Sequence, residues 1–176
     1  IYLPMTGQNA AGGQMSMEGI NLAHEQKGEV LGKPIKIVLV DDKSDKVEAA
    51  NAVTRLIDKE KAVGIIGSYA SYLAIPGSEV ANKAGIPMVA NTATNPLVTQ
   101  NKEFVFRACF IDPLQGTALA NYAVEDLGAK TAMIILDRAN DYSVGLANYF
   151  KQAFEKATGN EVEEIKYNSG DQDFTA

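Results

Sequence analysis

Short apolar runs alternate with helical patterns along this chain of 176 residues, and this alternation most constrains the fold. Seven runs are predicted to form strands: residues 1–3, 35–40, 63–66, 86–90, 104–108, 131–137 and 161–167. Helical patterns follow most of them, at residues 13–27, 45–62, 72–84, 113–128 and 143–159. Strand–helix alternation is typical of βαβ units and predicts an α/β protein with doubly wound parallel sheets. Because the strands are continuously apolar, we expect both sheet faces to be covered.

The second helical pattern also carries the signals of a helix start. Apolar residues recur there at spacings of three or four, namely Val47, Ala50, Val53 and Ile57. Asp45 and Glu48 resemble a capping box, with Asp in the place of Ser or Thr. In the third pattern, Pro76 is expected to loosen the first turn and Gly85 to end the helix.

A domain boundary is predicted at CFIDP, residues 109–113, because Pro113 ends the fifth strand and begins a new helix. We place a hinge there and predict two domains, residues 1–111 and 112–176. IYLPM begins partway along a strand, and SGDQDFTA offers helix-capping Asp residues but stops before a helix grows. We therefore expect the chain to be part of a longer one.

Composition excludes several kinds of partner. The chain has 16 Lys and Arg against 22 Asp and Glu, a net charge of −6, without the basic stripe that nucleic acid requires. It has no apolar run of about 18 residues, so no membrane span is predicted. Its one cysteine, Cys109, excludes an intrachain disulfide and a cysteine metal cluster, and we expect it to be a small buried apolar residue.

Two nucleotide-binding motifs are incomplete in TGQNAAGG, residues 6–13. Asn9 stands where GxGxxG requires glycine, and Gly-Gly stands where a P-loop requires Gly-Lys. His24, the single histidine, lies within a helical pattern as an expected surface residue, and any Ser–His–Asp triad would have to use it. We therefore expect neither an enzyme nor a cofactor, although a nucleotide-dependent enzyme is the third alternative.

Three acidic residues follow the second strand: Asp41, Asp42 and Asp45. They lack the glycine and the distant Glu of a calcium-binding loop. We interpret them as helix-capping residues and a solvated strand end, and we expect no metal.

Hydroxyl residues follow the third and fourth strands, in GSYAS (67–71) and NTATNP (91–96). In open α/β sheets the ligand lies beyond the carboxyl ends of the strands. Ser71 can present its hydroxyl and its amide at a helix N-terminus, where an anion is favoured. Thr94 can add a hydroxyl and an amide, while the carbonyl of Thr92 can accept from an ammonium. These groups suit an α-amino acid, but helix capping by Ser71 and an ordinary turn at 91–96 remain the alternative.

The segment GSYASYLAIPGSEVANKAGIPMVANTATNPLVT, followed by FVFRACFIDPLQGTALANYAVEDLGAKTAMIILDRANDYSVGLA, resembles branched-chain amino-acid-type periplasmic binding proteins. These are the solute-binding components of ABC transporters. The similarity covers the whole chain, including LPMTGQNAAGGQ. It implies the type I periplasmic-binding fold, in which two α/β lobes joined by three crossovers hold the ligand between them. Residues 1–111 would then form most of lobe one and 112–176 the start of lobe two, with the remainder after Ala176.

The resemblance also implies roles for individual residues. Ser71 would bind the ligand carboxylate through hydroxyl and amide, and Thr94 would bind both carboxylate and ammonium. Thr92 would supply a backbone carbonyl to the ammonium. Tyr142 would reach the ligand from lobe two when the cleft closes, and the acidic partner of the ammonium would lie beyond residue 176.

The ligand's side chain stays open, because the loops depart from those of relatives. Tyr69, followed by Ala70 in the same ligand loop, stands where some relatives have a smaller aliphatic residue. Gly12 stands where some have an aromatic, and Tyr72 adds a further aromatic near Ser71 that we expect to help reshape the pocket wall. A branched-chain amino acid, an aromatic one or a related carboxylate is consistent with these residues.

The resemblance implies a non-enzymatic receptor that delivers a small amino acid or carboxylate to an ABC permease. Its location would be periplasmic or extracellular after signal-peptide removal, with or without a lipid anchor. The alternative is a ligand-sensing domain of a regulator or receptor on the same fold, which a DNA-binding domain before Ile1 would favour.

Overall fold

The computed structural model describes residues 1–173, so the helix-capping prediction for the end of the chain extends beyond the described residues. Its strands are β1 (Tyr2–Leu3), β2 (Glu29–Val30), β3 (Lys33–Pro34), β4 (Val40–Asp41), β5 (Ile65–Ile66), β6 (Met88–Ala90), β7 (Val105–Arg107), β8 (Met133–Asp137) and β9 (Glu163–Tyr167). Its helices are α1 (Ala10–Gln26), α2 (Lys46–Asp58), α3 (Ser71–Lys83), α4 (Asp112–Asn121) and α5 (Asp141–Thr158). A 3-10 turn covers Pro96–Val98 and a π-helical turn Tyr122–Asp126.

Parallel pairing dominates the sheets, as the sequence predicts. Strands β1 and β4 pair in parallel, as do β5, β6 and β7 in that order, and β8 with β9. The exception is the antiparallel hairpin β2–β3, which the apolar pattern did not reveal because both strands are exposed. Its two-residue turn has positive φ at Leu31 (52°) and Gly32 (72°), the backbone that a type I′ turn requires.

Internal contacts divide the chain into two compact units. Unit 1 contains residues 1–93 and 97–109, and unit 2 contains residues 94–96 and 110 onward. The division into residues 1–111 and 112–176 stays a prediction. Within residues 1–173, no helix combines the length and the apolar character that crossing a bilayer demands.

The core of unit 1 lies on one face of its strands. The largest fully buried apolar side chains there are Tyr2, Leu3, Val53, Leu56, Leu73, Met88 and Val98. Alternate residues of β5–β7 point to the other face, where Ile66, Val89 and Phe106 are 36%, 38% and 56% exposed. Within the described residues this second face is therefore only partly covered, whereas residues of α2 and α3 pack with the strands in the core.

Unit 2 is built on the packing of α4 against α5. Phe154 is fully buried with Ala120 and Val162, and its ring stacks on Phe150 with centroids 5.6 Å apart. A Cβ on Gly116 would lie 2.6 Å from the Cβ of Tyr149, so the absence of a side chain permits the close approach of these helices.

The helix boundaries confirm part of the capping prediction. Asp45 accepts hydrogen bonds from the amides of Val47 (2.8 Å) and Glu48 (2.9 Å), as an N-cap should. Glu48 does not complete a capping box, because its carboxylate pairs with Lys43 at 3.3 Å while the Asp45 amide donates to the Asp42 carbonyl.

Cys109 is half-buried and not fully enclosed, and its thiol donates to a backbone carbonyl.

Replacing Gly77 by Ala should destabilise the protein, although alanine favours helices. A Cβ there would lie 2.3 Å from the hydroxyl oxygen and 2.6 Å from Cζ of the fully buried Tyr2. Gly19→Ala is the matched control, since Gly19 lies on an exposed helix position with nothing within 4 Å. Denaturant unfolding should show a loss of about 1–3 kcal/mol for Gly77→Ala and a gain of up to about 1 kcal/mol for Gly19→Ala. Equal effects would contradict this packing.

Candidate ligand-binding site

Hydrogen bonds join the loops that leave the carboxyl ends of β1, β4, β5 and β6 in unit 1. The β1 loop meets the β4 loop where the Ser44 hydroxyl donates to the Thr6 carbonyl (2.9 Å) and accepts from the Asn9 amide (3.1 Å). The β5 loop meets the β6 loop where the Thr92 hydroxyl donates to the Tyr69 carbonyl (2.6 Å). The Ser68 hydroxyl of the β5 loop donates to Asp42 at the end of β4, so the loops form one connected rim.

Ser71 is the first residue of α3 and is 2% exposed. The cap position belongs to Ala70, which has extended backbone (φ −99°, ψ 148°) and makes no side-chain capping bond. The alternative that Ser71 caps the helix is therefore wrong. A residue at the first helical position directs its amide out of the N-terminus, where the helix dipole favours an anion.

The Thr92 hydroxyl makes an intramolecular hydrogen bond at an exposed position. Its bond to the Tyr69 carbonyl holds the two loops together. The role of the Thr92 carbonyl as an acceptor for an ammonium stays a prediction.

The two tyrosines beside Ser71 have different environments. The ring of Tyr69, 36% exposed, rests on the first turns of α1, where a Cβ on Gly12 would lie 2.3 Å from its Cζ. Tyr72 is 8% exposed, and its hydroxyl accepts from the side-chain amides of Gln8 (2.9 Å) and Asn9 (2.7 Å). Tyr72 belongs to the core cluster, and its part in the pocket wall stays a prediction.

Two predicted residues, Thr94 and Tyr142, belong to unit 2. Thr94 is 7% exposed, and its carbonyl accepts from the Asp112 amide (3.1 Å). Tyr142 lies in the first turn of α5, where its amide donates to the cap residue Asn140 (3.0 Å). Its hydroxyl accepts from the side chain of Gln115 at 3.2 Å. Unit 1 holds the other four predicted residues, Tyr69, Ala70, Ser71 and Thr92.

Sequence reasoning missed a buried pair, Asp42 and Ser68. Both are fully buried, and the Ser68 hydroxyl donates to the Asp42 carboxylate at 2.5 Å. Burial raises the pKa of Asp42, and the bonds from Ser68 and from the Ser44 amide offset part of that rise. The interpretation of Asp42 as part of a solvated strand end is wrong. The signal was present in the adjacent Asp41–Asp42 pair, since alternation along an extended strand end points one of the two inward.

Tyr2 shares this buried region. Its pKa lies well above the ordinary value, because burial and the nearby charge of Asp42 both disfavour the phenolate, against a small opposing hydrogen bond from the Ser68 backbone. A Cβ on Gly67, whose φ is 141°, would lie 2.0 Å from the Tyr2 carbonyl oxygen. The start of the β5 loop therefore requires glycine.

Asp41 binds the β1 loop from outside. Its carboxylate accepts from the Met5 and Lys43 amides, both at 2.8 Å, and from the Thr6 hydroxyl at 2.7 Å. Partial burial raises the pKa of Asp41, but these hydrogen bonds, led by that of Thr6, outweigh burial and leave it below the ordinary value. Residues 1–173 contain no group of three or more His, Cys, Asp or Glu side chains placed to hold a metal ion.

The chain belongs to the periplasmic binding protein family, whose sequence profile matches residues 1–176. An amino acid binding protein of Pseudomonas aeruginosa is 34% identical over 177 residues, which cover 98% of this chain and 47% of that protein. The leucine binding protein LivK of Thermotoga maritima has 49% identity and a TM-score of 0.96, covering 99% of this chain and 49% of that structure.

A third relative was solved with a ligand. The branched-chain amino acid transporter substrate binding protein LivJ of Streptococcus pneumoniae, in complex with isoleucine, has 30% identity and a TM-score of 0.88. The match covers 99% of this chain and 50% of that structure. These similarities confirm the predicted type I periplasmic-binding fold, and the chain spans about half the length of the relatives it matches.

Replacing Asp41 by Asn should destabilise the protein in a pH-dependent way. A carboxyl whose pKa is lower in the folded state adds stability above its unfolded pKa, and that stability is lost as pH falls through the folded pKa. The free energy of unfolding should therefore fall by about 1–2 kcal/mol at pH 7 in Asp41→Asn, and the difference should shrink below about pH 4.

Urea unfolding between pH 3 and pH 7 measures this difference. Asp58→Asn provides the control, because Asp58 is exposed at the end of α2. A difference between wild type and Asp41→Asn that stays constant with pH would contradict the role given to the Asp41 hydrogen bonds.

Proposed function

We propose that this chain holds the ligand in an extracytoplasmic receptor that captures a small α-amino acid and delivers it to an ABC permease. One observation carries the proposal. Ser71 lies at the first helical position of α3, directly after a cap residue without a capping side chain, so its hydroxyl and amide suit a carboxylate. The receptor carries out no catalytic step.

The chemistry of the β6 loop complements that of Ser71. The Thr92 hydroxyl is directed to Tyr69, which leaves the Thr92 carbonyl as the group that would accept from an ammonium. Thr94 would add a hydroxyl and an amide donor. Hydrogen bonds to charged groups each contribute about 1.5–3 kcal/mol, so a few such bonds are sufficient for micromolar binding.

The side-chain preference would come from Tyr69 and Ala70. Tyr69 is partly exposed, and its ring lies against Gly12. The ring would offer the ligand a flat apolar surface. Such a surface favours an apolar side chain, branched or aromatic. The relatives named as amino acid and leucine binding proteins support an amino acid, and the isoleucine complex of LivJ supports a branched-chain one.

The lobe assignment and the location belong to the same proposal. Residues 1–111 would form part of one lobe and residues 112–176 the start of the other, with Tyr142 as a contact from the second. The family's name supports a location outside the cytoplasmic membrane. Delivery to a permease is supported by the description of LivJ as a transporter substrate binding protein.

Thermal unfolding of the full-length protein should reveal the ligand. The probes are L-leucine, L-isoleucine, L-valine, L-phenylalanine and benzoate, the last as a carboxylate without an ammonium. A ligand at about one hundred times its Kd should add about 2.7 kcal/mol. The midpoint should then rise by about 5–10 °C with at least one of the amino acids and stay unchanged with benzoate.

Ser71→Ala should reduce this rise to about half or less and weaken binding about tenfold or more in calorimetry, because it removes one charge-assisted hydrogen bond. Ser78→Ala is the matched control: Ser78 is buried in the same helix and donates only to the Ile75 carbonyl. A rise with benzoate alone would replace the substrate class. No rise with any probe would overturn the receptor proposal.

A further inference from the structure

Asp42 is a buried carboxylate that is hydrogen-bonded to the ligand loop, residues 67–71. One of its oxygens accepts from the Ser68 hydroxyl (2.5 Å) and the other from the Ser44 amide (3.0 Å). Its own amide donates to the Leu3 carbonyl (3.1 Å), which fixes it to β1. A fully buried charge is costly unless its hydrogen bonds are satisfied, so Asp42 strongly favours one position of Ser68.

Tyr72 makes the second attachment to the same segment. Its hydroxyl donates to the Ser44 carbonyl (3.2 Å) while it accepts from the side chains of Asn9 (2.7 Å) and Gln8 (2.9 Å). One donor and two acceptor sites are the full capacity of a phenol hydroxyl. Because Tyr72 is also buried, with only 8% of the residue exposed, it has few other positions that satisfy the same partners.

The two attached residues lie on either side of Ser71 in the sequence. Ser68 lies three residues before it and Tyr72 directly after it, and both are hydrogen-bonded to the segment Asp42–Ser44. We infer that Asp42–Ser44 is a positioning segment for the ligand loop, and that Asp42 and Tyr72 are positioning residues that set the direction of the Ser71 hydroxyl and amide. The inference rests on the proposed function and adds residues that do not touch the ligand.

The physical reason lies in the geometry of hydrogen bonds. A hydrogen bond weakens steeply when its donor–hydrogen–acceptor angle falls below about 120°. The hydroxyl and the amide of Ser71 must therefore both be aligned with the ligand's carboxylate. Ser71 is preceded by the cap residue Ala70 and followed by the rest of α3. Its alignment therefore depends on the points where the loop is attached, Ser68 and Tyr72. A ligand site placed on rigid, attached elements loses no binding energy in ordering the loop.

The test measures binding in the full-length protein by calorimetry with L-leucine, L-isoleucine, L-valine and L-phenylalanine. Asp42→Asn, Ser68→Ala and Tyr72→Phe are each made in the wild type and in Ser71→Ala. Tyr72→Phe keeps the packed ring and removes only the hydroxyl, so it stays informative if the Asp42 variant fails to fold. Tyr122→Phe and Asp58→Asn, both at exposed positions, are the controls for each chemical change.

Each of the three variants should weaken binding by about tenfold in the wild type and by less than about twofold in Ser71→Ala, because residues that act through Ser71 are not additive with it. Hydrogen exchange should also become faster in residues 67–74 of each variant, with residues 141–158 unchanged. Tyr122→Phe and Asp58→Asn should alter neither measurement.

Three results would overturn the inference. Unchanged affinity despite faster exchange would show that the attachments do not position Ser71 for binding. Equal losses of affinity in both backgrounds would show a general structural effect. Wild-type protein that binds none of the four amino acids would defeat the proposed function itself, and that failure is recognised before any variant is compared.

Discussion

The buried carboxylate of Asp42 is the constraint on which the arrangement of unit 1 most depends. A charge without solvent must receive hydrogen bonds, and its donors come from Ser44 and Ser68, which lie in two different loops. The same region holds Tyr2, whose carbonyl leaves room only for glycine at residue 67. The ends of β1, β4 and β5 are therefore determined together, and the N-terminus of α3 with them.

Function at this rim follows from how polar groups are distributed. Several hydroxyls donate hydrogen bonds within the protein: Ser68 to the Asp42 carboxylate, Thr92 to the Tyr69 carbonyl, and Tyr72 to the Ser44 carbonyl. These bonds connect the loops of the rim to one another. Ser71 lies at the start of a helix, where an anionic ligand is favoured. A rim stabilised by its own hydrogen bonds can present Ser71 without the entropic cost of ordering a mobile loop.

Much of the fold could be predicted from the sequence, since the period of apolar residues reports strands and helices directly. The parallel pairings, the Asp45 cap and the end of α5 at Gly159 all follow local signals. The hairpin β2–β3 was missed because its residues are exposed and carry no apolar pattern. Asp42 was misassigned because burial of a single acidic residue depends on donors 2 and 26 residues away, which periodicity does not reveal.

A crystal structure of the full-length protein with its bound amino acid would show whether Ser71 holds the ligand's carboxylate. We expect a carboxylate oxygen within about 2.7–3.1 Å of both the Ser71 hydroxyl and the Ser71 amide, with the Asp42–Ser68 bond retained. A carboxylate bound elsewhere in the protein, with Ser71 making no contact to it, would show that Ser71 is not the ligand-binding residue.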